Sequence, residues 1–179
     1  MGRYGMLLTV GVLASVASPV AQVHPDLGGR WTLLHQDDVR GEPMAAFGES
    51  FVATQTSTSL TIDGHSVGPA GRGAGGKLVY RPMHSTFPFD GSESNVSRII
   101  STGSTKRIID TAAWDGATLV ITTTWRGGVA PYVSRKLNLS LHPDGTLVVA
   151  LSTPPEQPGA PWSIVESRYR RVDRSPSRE

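Results

Sequence analysis

Apolar residues in this chain alternate with polar ones over short runs, and the runs stop at glycine or proline. Residues 135–141 (RKLNLSL) place Leu137, Leu139 and Leu141 on one side of an extended chain. Residues 147–151 (LVVAL) do the same with Leu147, Val149 and Leu151. No long stretch keeps the 3.6-residue period of an amphipathic helix. Thr, Val and Ile crowd the runs, and β-branched side chains fit a pleated surface. Residues 56–63, 77–81 and 162–172 therefore read as further strands, and Leu60 and Ile62 share one face of the first.

One dipeptide punctuates the runs, at Asp63-Gly64, Asp90-Gly91, Asp115-Gly116 and Asp144-Gly145. Asp-Gly between apolar runs signals a hairpin, because glycine accepts positive φ without steric cost. A three-residue loop, Pro143-Asp144-Gly145, sets Leu141 opposite Leu147, Leu139 opposite Val149 and Leu137 opposite Leu151. A two-residue turn would send the two apolar sets to opposite faces. The same loop length at Trp114-Asp115-Gly116 sets Ile109 opposite Ile121, Thr111 opposite Leu119 and Ala113 opposite Ala117. It leaves Asp110, Thr118, Thr122 and Thr124 on the wetter face. Consecutive antiparallel strands must hide their edges, and closure does so directly. The expected fold is all-β, an antiparallel up-and-down β-barrel of about eight to ten strands, with a two-layer β-sandwich as the alternative.

The first residues change the picture of location. Arg3 precedes an apolar run over residues 6–17, where Ser15 and Ala17 fit the small-x-small cleavage pattern, and a cut after Ala21 is the alternative. This predicts a secretory signal peptide, too short to span a bilayer of about 30 Å. The expected organisation is a signal peptide over 1–21, one barrel domain over 22–173 and a flexible tail over 174–179. Such a chain is exported, periplasmic or secreted, and has no membrane span after cleavage. Lys and Arg number 17 against 15 Asp and Glu. Loss of the leader removes Arg3 and no acid, and that near balance argues against a nucleic-acid partner. Without cysteine there is no disulfide, thiolate metal site or cysteine nucleophile.

Residues 71–78 (GRGAGGKL) fit the spacing of a phosphate-binding loop, but Leu78 stands where magnesium binding needs Ser or Thr. A strand rather than a helix is expected after it, so no nucleotide cofactor is expected. His24, His35, His65, His84 and His142 are scattered, and the run His35-Gln36-Asp37-Asp38 reads as a polar loop rather than a metal site. Asp110, His84 and Glu166 are the acid–base side chains available for catalysis. No spacing draws them together and no G-x-S-x-G elbow is present, so no catalytic residue is assigned.

Gly29-Arg30-Trp31 opens the first expected strand and resembles the G-x-W motif of the lipocalins. In that family the Trp closes one end of the barrel against an Arg near the last strand, which implies Arg168 or Arg170 as partner of Trp31. Residues FDGSES, AAWDGATLVITTTWRG and HPDGTLVVALSTP resemble a group of uncharacterised exported bacterial lipocalin-like β-barrel proteins, over residues 27–172. The resemblance implies the fold and export, and no activity.

A barrel of about eight strands encloses either packed side chains or one small ligand. The leading expectation is therefore a carrier or sensor of a small hydrophobic ligand. Residues 36–50 would form a lid with Met44, Phe47 and Phe51 near the mouth, and Trp125 and Tyr132 would line the pocket. The alternative is an interaction or structural module with a packed interior; an enzyme is the third reading. No cofactor or metal is called for, and the oligomeric state is left open.

Overall fold

The computed structural model describes residues 24–36, 38–39, 42–43, 45–69, 78–101, 104–127, 130–155 and 159–172. The signal-peptide segment, Met44, glycine run 71–77 and tail 174–179 lie outside the described residues. Every regular element among those described is a strand. They are β1 (Gly29–Gln36), β2 (Asp38–Val39), β3 (Glu42–Pro43), β4 (Ser50–Gln55), β5 (Ser59–Pro69) and β6 (Leu78–Pro88). β7 (Ser94–Ser101), β8 (Ser104–Asp115), β9 (Thr118–Arg126), β10 (Tyr132–Leu141), β11 (Leu147–Thr153) and β12 (Ser163–Val172) follow.

The ten longer strands form one antiparallel sheet in the order β6-β5-β4-β1-β12-β11-β10-β9-β8-β7, while β2 and β3 make a separate short hairpin. Among these ten, neighbours in the sheet are neighbours in sequence except where β1 meets β12, which joins the first strand to the last. The sheet curls until β6 and β7 adjoin, giving a nearly closed up-and-down barrel rather than a sandwich. Apolar side chains of alternating positions fill its interior, among them Trp31, Leu60, Ile62, Leu119, Leu139, Val149 and Tyr169.

The hairpin of β10 and β11 has the expected register, with Leu141 opposite Leu147, Leu139 opposite Val149 and Leu137 opposite Leu151. Gly145 takes φ 81° there. The Thr146 N–H and then its hydroxyl donate to the Asp144 carboxylate and hold its pKa below the ordinary 3.8. At Asp90-Gly91, between β6 and β7, the Ser92 hydroxyl and then its N–H do the same for Asp90.

Two turns differ from expectation. β8 and β9 are joined by the two-residue turn Gly116-Ala117, which pairs Trp114 with Leu119, Ala112 with Ile121 and Asp110 with Thr123. The inward face of β8 is thus Asp110, Ala112 and Trp114, not Ile109, Thr111 and Ala113. Trp114 explains the shift: as a strand residue its large ring packs edge-on to Phe89 at 5.4 Å and stacks on His24 at 4.4 Å. Asp63-Gly64 lies inside β5 and makes no turn. The turn from β4 to β5 comes earlier, where Thr56 Oγ1 accepts from the N–H groups of Thr58 and Ser59 at 3.2 and 3.0 Å. The glycine run joins β6 to its antiparallel partner β5, so strands flank it on both sides. That context lacks the helix a phosphate loop requires.

Residues 24–28 cross one end of the barrel as a strap. Leu27 enters the core, and the Gln55 side chain accepts from Leu27 N–H at 2.8 Å and donates to Pro25 O at 3.1 Å. Trp31 Nε1 donates to Leu27 O at 2.9 Å, and His24 reaches β8 on the far wall. The guanidinium over Trp31 belongs to Arg171, at 4.9 Å, and not to Arg168 or Arg170. The parity of β12 decides this: Val165, Ser167 and Tyr169 are buried, so Arg171 continues their row while Arg168 and Arg170 stand on the outward one.

Candidate functional site

The interior is apolar near the strap and polar towards the other end, here called the far end. The change of character begins at Asp110, whose side chain the β8 register turns inward, where it is only 7% exposed. Thr123 Oγ1 donates to Asp110 Oδ1 at 2.6 Å, and Asn95 Nδ2 donates to Asp110 Oδ2 at 3.3 Å. Arg135, on the inward face of β10 directly opposite Thr123, donates through Nε to Thr123 Oγ1 at 3.0 Å. The threonine hydroxyl thus accepts from the guanidinium and donates to the carboxylate, relaying between two charges that do not touch.

Asn95 gives this network a structural task as well. It sits at the irregularity in β7 between Ser94 and Ser97, with φ 49°, a region asparagine tolerates better than other side chains. Its Oδ1 accepts from the Thr86 N–H of β6 at 3.2 Å, bridging the seam that the sheet leaves between β6 and β7. Asp110 orients that amide, so its burial serves closure of the wall.

Arg135 has no such explanation. Among the described residues its terminal nitrogens meet no hydrogen-bond acceptor and no carboxylate lies within ion-pair distance. A half-buried guanidinium facing inward can donate to an oxyanion or carbonyl in fork geometry. One step nearer the far end, Trp125 stacks on Tyr132 with centroids 6.0 Å apart, and Lys106 Nζ lies 5.5 Å over the Trp125 ring. Ser167 Oγ, buried on the inward row of β12, has no hydrogen-bond partner among the described residues.

The sequence-derived ligand residues fall into two groups. Trp125 and Tyr132 come together on the inward side at the far end. Phe47 and Phe51 are core residues: Phe47 lies 4.9 Å from Phe51, and Phe51 meets Tyr169 edge-on at 5.0 Å. The segment carrying Phe47 dips into the barrel, where the Tyr169 hydroxyl donates to Gly48 O at 3.2 Å and His65 N–H donates to Phe47 O. The three acid–base candidates are not brought together. Asp110 is inside, His84 pairs with Asp63 on the outer wall, and Glu166 lies outside beside Arg168 at 3.7 Å. Among the described residues no cluster of His, Asp and Glu could hold a metal ion.

Sequence reasoning passed over Arg135, Thr123 and Asn95. The available signal was a cation one apolar step before Leu137, on the same face as Leu137, Leu139 and Leu141. No protein-family model matches the chain, and comparison with curated proteins finds no significant match.

Proposed function

We propose that this is an exported barrel that carries or senses a small amphipathic ligand, held in the far half of its interior. The observation that carries the reading is Arg135: an inward guanidinium, steadied by Thr123, whose terminal nitrogens have no partner among the described residues, with Trp125 and Tyr132 one step nearer the far end. The apolar body of a ligand would lie against the aromatic pair, and its polar end would take the free donors. The unpartnered Ser167 hydroxyl offers a second polar contact from another wall. Export rests on the character of residues 1–21.

A second reading, a packed module without a ligand, is favoured by the dense core between the strap and Asp110. Protein purified without denaturant and extracted with organic solvent separates the two. The carrier reading expects a co-purifying small molecule, and an apolar fluorescent probe that quenches Trp125 and competes with it. Arg135→Ala should weaken binding about tenfold or more, the usual loss of a hydrogen bond to a charged group. An empty extract together with no probe binding leaves the packed module standing.

A further inference from the structure

Large hydrophobic side chains are unevenly exposed over this barrel. Of the six exposed large hydrophobic side chains among the described residues, Leu34 (52%), Tyr132 (52%), Trp162 (39%) and Ile164 (60%) stand towards the far end, on the arc from β10 to β1, while Val96 lies on β7 and Val172 at the strap end of β12. Tyr132 starts β10, and Ile164 lies near the start of β12 on its outward row, with Trp162 just before that strand. Leu34 lies at the irregularity of β1. Two lysines attend the tryptophans of this end. Lys106 Nζ lies 5.5 Å over Trp125 and Lys136 Nζ lies 5.7 Å over Trp162. Neither ammonium has a carboxylate partner among the described residues. On the neighbouring wall one carboxylate, Glu93, is shared by Arg107 and Arg126, which leaves that group positive.

We infer that the far end of the barrel docks on an anionic lipid surface. Indole and phenol rings, apolar with one polar atom, settle at headgroup depth, and unpaired lysines beside them are drawn to anionic lipids. Charge decides among occupants. A second copy seated face to face would set lysines against lysines, whereas a phosphate-bearing surface neutralises them. The outer wall below this end is polar, with Thr61 bonded to Thr86, Thr118 bonded to Ser140, and His84 paired with Asp63. The barrel would therefore rest on the surface rather than cross it. This holds whether or not the interior takes a ligand.

Flotation of the full chain with phosphatidylcholine vesicles, with and without phosphatidylglycerol, tests the inference. Each variant is compared in the same full-length form, so that any contribution of residues 1–23 cancels. The protein should float with the anionic vesicles at low ionic strength and be released by salt. Lys106→Gln and Lys136→Gln should each cut that affinity about fivefold, and Trp162→Ala should weaken it further. Lys136 and Trp162 are exposed and Lys106 is half-buried at the rim, and unchanged circular dichroism and melting temperature establish that each variant folds. Absence of flotation, or variants that float as the parent does, would overturn the inference. So would a dimer in solution that the same substitutions dissociate, since the far end would then face another copy.

Discussion

Glycine does two different jobs in this chain, and the difference can be measured. Gly64 lies within β5 at an ordinary φ, and a Cβ there would come within 2.7 Å of Phe51 Cβ and 3.3 Å of Phe47 O. Its missing side chain is the space into which the Phe47 segment dips. Gly145 has open space around it but φ 81°, so its constraint is the backbone conformation. Gly64→Ala should cost about 1–3 kcal/mol by overpacking. Gly64→Asn should cost more, because any side chain meets the same wall. At Gly145 alanine should cost about 1–2 kcal/mol, while asparagine, which tolerates the left-handed region, should recover part of it. Urea midpoints of the four variants check this; a Gly64→Ala midpoint equal to the parent's would mean that the Phe47 segment is not packed as described.

At the scale of elements, one side chain bridges the seam between β6 and β7 directly. Asn95 supplies the acceptor for Thr86 N–H and takes its orientation from Asp110, which Thr123 steadies. Asn95→Ala should lower stability by about 1–3 kcal/mol, the cost of leaving a backbone donor unpaired, and should speed exchange of the Thr86 amide. Asn95→Gly relieves the positive φ but restores neither bond, so it should remain below the parent; parity would show that the bonds contribute nothing.

How far these elements were legible varied with the local signal. The register of β10 and β11 could be read because three leucines alternate and Pro143 fixes the loop length. That of β8 and β9 could not, because Trp114 beside Asp-Gly looks like a loop residue until Phe89 and His24 are known to meet it. Asp110 was turned to the wrong face by the same error, and with it went the one buried carboxylate of the site. Arg171 was missed through parity alone: Arg168 and Arg170 are nearer the middle of their strand, but Tyr169 marks the inward row. Arg135 stands on the same face as Leu137, Leu139 and Leu141, and its charge hides that parity in the sequence.

For the molecule as a whole, the question is where a ring of strands is weakest. A chain that closes by joining its first and last strands would be expected to gape there. Here β1 and β12 instead share a ladder running from Arg30 opposite Val172 to Gln36 opposite Ser167. The strap reinforces it, since Arg171 stacks on Trp31 and pairs with Asp26. The discontinuity falls in mid-chain, between β6 and β7. β6 carries Pro82 and Pro88, and proline, which has no N–H to donate, belongs on edge strands. Beyond Asn95, the backbone links among the described residues are the Asp90–Ala113 bridge and the bond from Gly91 N–H to Ala112 O at 3.0 Å, which tie the end of β6 to β8. Opening of the barrel should therefore begin at this seam, with local unfolding free energies well below the global value. Native-state hydrogen exchange should find the β6 and β7 amides that face the seam exchanging at lower denaturant than those of the β1–β12 ladder. Equal protection at the two places would mean that the ring is closed by a continuous ladder and that Asn95 is incidental to it.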